Sequence, residues 1–251
     1  MPSRIVFTEE MRALNQEIVH MGDLARAMIR KGVHAFLECD IELMNEVAAL
    51  DEEIYRADQA IEKHCVDIIA LHQPVAGDLR VVTTYLKVIT DLNRIGRYGR
   101  DIAELADCQE NGKRIKKLIA VPLMSELALA MVNDAIDSLV AMDDGKARSL
   151  FLRDDEVDGL WDSIFRESLT HMMEDPRNIG AGIHYILVAR YLERIADHAC
   201  NISDRVVFMV TGMRVDPYER KRRPSPSPGA GPEEGPYSGT DGYYAAHLSE
   251  K

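Results

Sequence analysis

The sequence predicts an all-α protein made of two tandem three-helix bundles of similar structure, followed by a disordered C-terminal tail. Apolar residues recur at steps of three and four over long stretches, which is the spacing of one face of an α-helix. No segment shows the apolar–polar alternation or the Asn-Gly turn typical of a β-hairpin. The pattern of the first half returns in the second half, which indicates an internal repeat.

The first bundle is predicted over residues 8–110 and contains three helices. Thr8 is the predicted N-cap of the first helix, because its hydroxyl can accept a backbone N–H and two glutamates follow it. Pro74 and Gly77 separate the second helix from the third. The apolar stripes that mark the three helices cover about residues 11–29, 43–71 and 79–102.

The second bundle is predicted over residues 117–213, after a short Lys/Gly linker near residues 111–117. Its three helices are expected at about Pro122–Met142, Lys146–Met173 and Ile179–Met213. Residues 214–251 hold six of the ten prolines of the chain. Because proline removes helix donors, we expect this tail to be disordered.

Two sequence matches define the register of the repeat. The segment Asp51-Glu52-Glu53-Ile54 returns 103 positions later as Asp154-Asp155-Glu156-Val157. Leu92, Arg94 and Ile95 return 100 positions later as Leu192, Arg194 and Ile195. A loop shorter by three residues accounts for the difference. Chance similarity between amphipathic helices is the alternative, but paired acidic clusters and Arg-Ile pairs favour duplication.

Composition excludes several classes of protein. The 251 residues include 42 Asp and Glu against 30 Lys and Arg, a formal net charge of −12. A nucleic-acid-binding protein would need a basic face instead. No apolar run reaches the roughly 18 residues of a membrane span, and the N-terminus has no apolar signal region. We expect a soluble, intracellular protein without membrane insertion.

The four cysteines are scattered along the chain without a C-x-x-C motif. They are Cys39, Cys65, Cys108 and Cys200. This spacing predicts neither a zinc ribbon nor a disulfide framework. We interpret each cysteine as a reduced, small core residue.

The candidate metal-binding site is a row of oxygen-bearing side chains on the last helix. The row consists of Glu193, Asp197, Asn201 and Asp204. Residues four apart lie on one helix face, so the like charges of this row oppose each other. If the fifth helix faces the sixth, it can complete the site with Asp154, Asp155 and Asp158.

Either a bound cation or neighbouring arginines can neutralise the negative charge of this row, and both alternatives stay open. A cation suits carboxylate and amide oxygens, which are hard ligands. Arg190 and Arg194 stand three residues before Glu193 and Asp197 and can pair with them instead. Taken alone, the sequence favours the arginines.

The first half differs at the equivalent row. Asn93 and Arg97 take the places of Glu193 and Asp197, and a protonated arginine cannot ligate a metal ion. Arg97 is instead expected to pair with Asp101. Any metal site is therefore expected to differ between the halves.

Catalytic motifs are missing from the sequence. It contains no G-x-S-x-G, no phosphate-binding P-loop and no G-x-G-x-x-G. One Glu-x-x-His match, Glu17 with His20, does not suffice for a di-iron bundle, which needs two. The sequence therefore indicates a binding protein rather than an enzyme.

Several segments of the helical body, about residues 8–213, resemble the PhoU family of phosphate-uptake regulators. They are Met21-Gly22-Asp23-Leu24-Ala25, Gly77-Asp78-Leu79-Arg80, residues 91–96, residues 192–202 and residues 206–212. The resemblance implies a fold of two similar three-helix bundles and a cytoplasmic, often dimeric regulator. It also implies action on a phosphate ABC importer through its ATPase subunit, and contact with a phosphate-sensing histidine kinase.

The family's E/D-x-x-x-D motif implies binding of a divalent or trivalent metal ion, iron or zinc. Glu193 and Asp197 match this motif, whereas Asn93 and Arg97 depart from it. The alternative that remains is a metal-free helical scaffold or adaptor of another pathway.

Overall fold

The computed structural model describes residues 2–106 and 120–216, and no strand occurs within these two ranges. The all-α prediction is therefore confirmed for them. A short 3₁₀ turn, Pro176–Asn178, precedes the last helix. The α-helices are α1 (Pro2–Glu38), α2 (Ile41–His72), α3 (Ala76–Glu104), α4 (Ala120–Ala141), α5 (Asp144–Ser149), α6 (Phe151–Glu174) and α7 (Ile179–Thr211).

The corner between the first two helices is built twice. Asp40 is the N-cap of α2 and accepts the backbone N–H of Leu43 at 3.1 Å. Asp143, 103 positions later, is the N-cap of α5 and accepts the backbone N–H of Lys146 at 2.9 Å. A residue with positive φ precedes each cap. This agreement in local geometry confirms the predicted repeat of helical units.

The core follows the predicted apolar stripes. Leu92, Ile95 and Ile102 on α3 are fully buried, and so are Leu192 and Ile195 on α7. Helices α1, α2 and α3 pack on one another, and α4, α5 and α6 each pack on α7. Contacts of α3 with α7 and of α1 with α4 join the two bundles. One continuous hydrophobic core therefore runs through both repeats.

The predicted start of the first helix at Thr8 is wrong, because α1 begins at Pro2. Proline is tolerated in the first helical turn, where its missing N–H would have no partner. The ring of Phe7 lies 5.5 Å from that of His72 at the end of α2. This contact gives the additional N-terminal turns a surface on which to pack.

The prediction of one continuous helix over Lys146–Met173 is also wrong. The chain forms α5, turns at Leu150, and continues as α6. The Ser149 hydroxyl donates to the carbonyl of Lys146 at 2.7 Å, and such local bonds compete with the helical ladder. Leu150 is fully buried at the turn, so the break also anchors the chain in the core.

The cysteine prediction holds for two positions and fails at a third. Cys65 and Cys200 are buried and take part in no disulfide. Cys39 is disulfide-bonded, so the expectation of a reduced thiol is wrong there. It lies at the corner between α1 and α2 rather than on a buried helix face. Cys108 lies outside the described residues.

The first residues of the predicted tail pack against α7. Val215 is buried, and its backbone N–H donates to Asp204 at 3.2 Å. Arg214 lies over the ring of Phe208, 5.5 Å from its centre. The packed chain thus continues beyond the predicted boundary at residue 214. The rest of the predicted tail, from residue 217, and the predicted linker near 111–117 lie outside the described residues.

Candidate functional site

Helix α6 packs against α7, the condition under which its carboxylates can approach the acidic row. Burial raises the pKa of the Asp158 carboxyl on α6, and the negative charges of Asp197 and Asp155 raise it further. Arg190 opposes this rise. The two helices therefore bring carboxylates from both sides into one electrostatic environment. We call Asp155, Asp158, Glu193 and Asp197 the α6–α7 acidic surface.

Arginines neutralise the two carboxylates of the predicted metal motif. Arg190 donates to Glu193, and Arg194 donates to Asp197 at 3.4 Å. The sequence left open whether a metal ion or arginines neutralise these carboxylates. The ion pairs correspond to the arginine alternative. Because 42% of the Arg190 side chain and 45% of the Arg194 side chain are exposed, each ion pair stabilises the protein by about 1 kcal/mol or less. The guanidinium groups can leave the carboxylates at little cost.

Three further members of the predicted site have interaction partners of their own. Asp204 accepts from the Arg214 guanidinium at 3.3 Å and from the backbone of Val215, so it anchors the chain that follows α7. Asn201 and Asp154 each already have an interaction partner in the structure. Asp204 therefore anchors the chain after α7, and its part in a metal site stays a prediction.

The negative charge of this region suits a cation, but the side-chain arrangement does not. Among residues 2–106 and 120–216, no three His, Cys, Asp or Glu side chains converge closely enough to hold a metal ion. At this site, Glu193 is paired with Arg190 and Asp197 with Arg194. Metal binding by this row stays a prediction.

The equivalent row of the first repeat has a different chemistry. Asn93, which replaces Glu193, donates from Nδ2 to the Asp58 carboxylate on α2 at 3.2 Å. Burial raises the pKa of Asp58, and the bond from Asn93 partly offsets this rise. A neutral amide thus takes the place of a carboxylate.

The predicted ion pair between Arg97 and Asp101 is wrong. Arg100 donates to Asp101 at 2.8 Å and to Asp51 on α2 at 2.7 Å. Arg97 is exposed, whereas Arg100 is only 25% exposed and faces α2. Arg97 thus points to solvent, while Arg100 reaches both acidic residues. In the first repeat, the guanidinium of Arg100 therefore neutralises the acidic residues.

Sequence reasoning missed the polar contacts by which the two repeats meet. Nδ1 of His198 on α7 lies 2.8 Å from Oδ1 of Asp91 on α3. The ring of Tyr98 stacks on that of Tyr191 at 5.7 Å and lies 5.8 Å from the His198 ring. Positions 91 and 98 of one repeat are equivalent to 191 and 198 of the other. The offset of 100 in the sequence relates these positions to each other. Only the structure shows that α3 and α7 cross at them.

A second missed contact joins α1 to α2. His64 lies with Nε2 2.8 Å from Glu10 and Nδ1 2.9 Å from Glu17. An ionised carboxylate only accepts hydrogen bonds, so with both glutamates ionised both ring nitrogens donate, as in the protonated imidazolium. Burial alone would lower the pKa of His64, but the bonds to Glu17 and Glu10 outweigh it and raise the pKa. The seven-residue spacing of Glu10 and Glu17 places them on one face of α1, and this was the sequence feature that could have indicated the contact.

Comparison with known proteins agrees with this architecture. The model of the PhoU domain matches twice, over residues 18–106 and 121–206. This chain belongs to the PhoU family. No described helix of this PhoU-family protein is sufficiently long and apolar to cross a membrane.

Curated and solved relatives cover most of the chain. The phosphate-specific transport system accessory protein PhoU homolog of Rhizobium meliloti is 36% identical over 208 residues, 82% of this chain and 87% of its own length. PhoU from Pseudomonas aeruginosa gives a TM-score of 0.78 at 33% identity and covers 82% of this chain and 100% of its own. The phosphate transport system regulatory protein PhoU from Streptococcus pneumoniae gives 0.77 at 28% identity, over 84% of this chain and 99% of its own.

Proposed function

We propose that this protein is a non-enzymatic regulator of inorganic phosphate uptake that docks onto the ATPase subunit of a phosphate ABC importer. The observation that carries this proposal is the match of both repeats, over most of the chain, to proteins named as accessory or regulatory components of phosphate transport. A relationship to one repeat alone would support only the fold. The compartment that fits this role is the cytoplasm.

The mechanism we propose is docking with a preference for one state of the partner. A regulator without chemistry of its own can shift a partner between conformations only by binding one of them more tightly. The α6–α7 acidic surface offers charge for such docking, because Asp155 and Asp158 add two carboxylates to the two that Arg190 and Arg194 neutralise. Opposite charge on a partner would orient it and speed its approach. A basic surface on the importer ATPase is the expected counterpart.

Three finer assignments accompany this proposal. A phosphate-sensing histidine kinase is a second partner, and a homodimer is the assembled form; the resemblance to the family supports both. A metal ion bound by Glu193 and Asp197 is the third assignment. It requires Arg190 and Arg194 to release these carboxylates, and the exposure of both arginines supports such a release.

Co-purification tests the docking proposal. The full chain carries an affinity tag in its native host, and the importer ATPase subunit recovered with it is quantified in phosphate-rich and phosphate-poor medium. The charge-reversal variant Asp155→Lys/Asp197→Lys should recover several-fold less ATPase than the wild type, since it reverses the acidic surface. The matched control is Glu62→Lys/Asp67→Lys, which reverses two exposed carboxylates of α2.

Recovery of equal amounts of ATPase with wild type and Asp155→Lys/Asp197→Lys would reject the acidic surface as the docking site. Recovery of no importer subunit in either medium would reject the phosphate function. It would favour the alternative of a metal-free scaffold or adaptor of another pathway.

A further inference from the structure

An apolar groove runs along the outer side of the second repeat, between α4 and α6. It has a volume of about 570 Å³. The described residues that line it are Leu123, Glu126, Leu127, Glu156, Gly159 and Leu160. We propose that this groove docks an amphipathic helix of a partner protein, one whose apolar face carries leucine-like side chains and whose flanks carry lysine or arginine.

The walls of the groove have helical spacing. Leu123 and Leu127 lie one turn apart on α4, and Glu156 and Leu160 lie one turn apart on α6. Leu123 is 53% exposed, and Leu152, one turn before Glu156, is 68% exposed. Two ridges with a furrow between them accept the side-chain ridge of a third helix. The shape therefore favours a helix as the occupant.

The equivalent groove of the first repeat is lined by more charged side chains than the groove of the second. That groove lies between α1 and α2, and residues such as His20, Glu53, Arg56 and Ala57 line it. At the offset of 103, Leu123 replaces His20, Gly159 replaces Arg56 and Leu160 replaces Ala57. Each replacement removes a polar group or adds an apolar one. The changes from His20 to Leu123 and from Arg56 to Gly159 are at exposed positions, so the core does not require them. Ala57 and Leu160 are partly buried against the core.

The charge at the groove points to a basic partner. Glu126 and Glu156 are exposed at its edges, and within residues 2–106 and 120–216 neither has a cationic group within ion-pair distance. Asp134 on the same helix α4 has two such partners, Lys146 at 3.0 Å and Arg153 at 2.6 Å. Two glutamates beside exposed leucines are complementary to a helix with cationic flanks.

A second copy of the chain fits the groove less well. Symmetric docking of two copies through this surface would bring Glu126 and Glu156 of both copies together. Each copy also carries a formal net charge of −12, so that contact would oppose like charges. A partner of opposite charge avoids both costs.

The test uses the purified full chain and labelled peptides, so it does not depend on the phosphate function. The probe is a helix-forming peptide of about 15 residues, near the length at which isolated helices become stable, with leucines on one face and lysines on its flanks. Two control peptides carry glutamate in place of lysine, or the same composition in an order without an apolar face. Fluorescence anisotropy measures the affinity of each peptide.

The decisive variant is Gly159→Arg, which copies the residue of the first repeat into the groove. A Cβ at Gly159 would meet no atom within 4 Å, and the position is exposed, so a side chain can begin there without displacing the core. We expect it to weaken binding of the lysine peptide by about tenfold or more. Arg56→Gly, the reciprocal change in the first repeat, is the matched control and should leave the affinity unchanged.

The charge variant Glu126→Lys/Glu156→Lys should also weaken binding of the lysine peptide by about tenfold and favour the glutamate peptide. Equal affinity of the lysine peptide for the wild type and Gly159→Arg would overturn the proposal, as would equal affinity for the peptide without an apolar face. If Gly159→Arg instead converts a dimer to a monomer in sedimentation, the occupant is a second copy and the proposal is wrong.

Discussion

The imidazole Nδ1 of His198 on α7 lies 2.8 Å from the carboxylate of Asp91 on α3, and this bond joins the two repeats. The contact related to it by exchange of the repeats is the stack of Tyr98 on Tyr191. The same two helical positions thus meet twice across an approximate two-fold axis, once as a polar pair and once as an aromatic pair. The duplicated bundles associate as two copies of one protein do in a symmetric dimer.

Removal of either member of the Asp91–His198 pair should reveal coupling between the repeats. Both side chains are mostly buried, so we expect a coupling free energy of about 1 kcal/mol in a double-mutant cycle of Asp91→Ala and His198→Ala. Urea unfolding of the four proteins provides the measurement. The exposed Glu52–Arg56 pair is the control, and its coupling should stay near 0.2–0.5 kcal/mol. A coupling no larger than that of the control would contradict this role.

A glycine pair sets the distance between α1 and α3. A Cβ built on Gly32 would lie 2.1 Å from the carbonyl oxygen of Gly99, which is backbone and cannot move aside. We therefore expect Gly32→Ala to destabilise the protein by about 3 kcal/mol, the upper end of the usual range for overpacking. Thermal unfolding measures the loss.

Gly159→Ala is the control for the glycine pair, because its Cβ would meet no atom within 4 Å. The higher helix propensity of alanine should stabilise that variant by about 1 kcal/mol or less. If Gly32→Ala has the stability of the wild type, the close approach of α1 and α3 is not as described.

The His64 contact predicts a stability that depends on pH. The pKa of His64 is raised in the folded state by Glu17 and Glu10, which outweigh its burial. A raised folded pKa stabilises fully below the unfolded pKa of about 6.5, and this contribution is lost as the pH rises through the folded value. The stability advantage of the wild type over His64→Gln should therefore shrink from acidic to alkaline pH.

Both glutamates are more than 40% exposed, so solvent screening keeps the His64 contribution to about 1 kcal/mol, or roughly 2–4 °C in Tm. Thermal scans of both proteins between about pH 5.5 and 8.5 check the sign. His20→Gln, a change at an exposed histidine of α1, is the control. An advantage that grows with pH would show that His64 is not held as the imidazolium.

The metal proposal makes the arginines competitors for the same carboxylates. Arg190→Gln/Arg194→Gln should bind Zn²⁺ about tenfold more tightly than the wild type, because Glu193 and Asp197 are then free to ligate. Isothermal titration calorimetry measures this change. Adding Glu193→Gln/Asp197→Asn should abolish it, and Arg56→Gln on α2 is the control. Equal zinc affinity of the arginine variant and the wild type would place any metal elsewhere.

Helices and their repeat were predictable from the sequence because apolar periodicity is a local property. The stripe with Leu92 and Ile95 is fully buried, and its copy at Leu192 and Ile195 is buried too. The break at Leu150 was not predictable in this way, because a buried leucine fits the stripe whether or not the helix turns there. The start of α1 depends on Phe7 meeting the distant His72, which no local pattern contains.

The candidate site was predictable in its residues but not in its partners. The spacing of Glu193 and Asp197 placed them on one face, and the nearby arginines were visible at three residues' distance. His198 and Asp91 are 107 positions apart in the sequence, and their contact depends on how α3 and α7 cross. That crossing is a property of the packed core, so the polar partners could be read only from the structure.

The central claim is that this chain makes phosphate uptake responsive to phosphate supply. Radiolabelled phosphate uptake in a host strain that lacks the chain tests it most directly, with the wild-type chain restored from a plasmid. We predict that the strain without the chain loses the difference in uptake rate between phosphate-rich and phosphate-poor medium, and that the restored chain returns it. An uptake rate that responds to phosphate equally with and without the chain would contradict the claim.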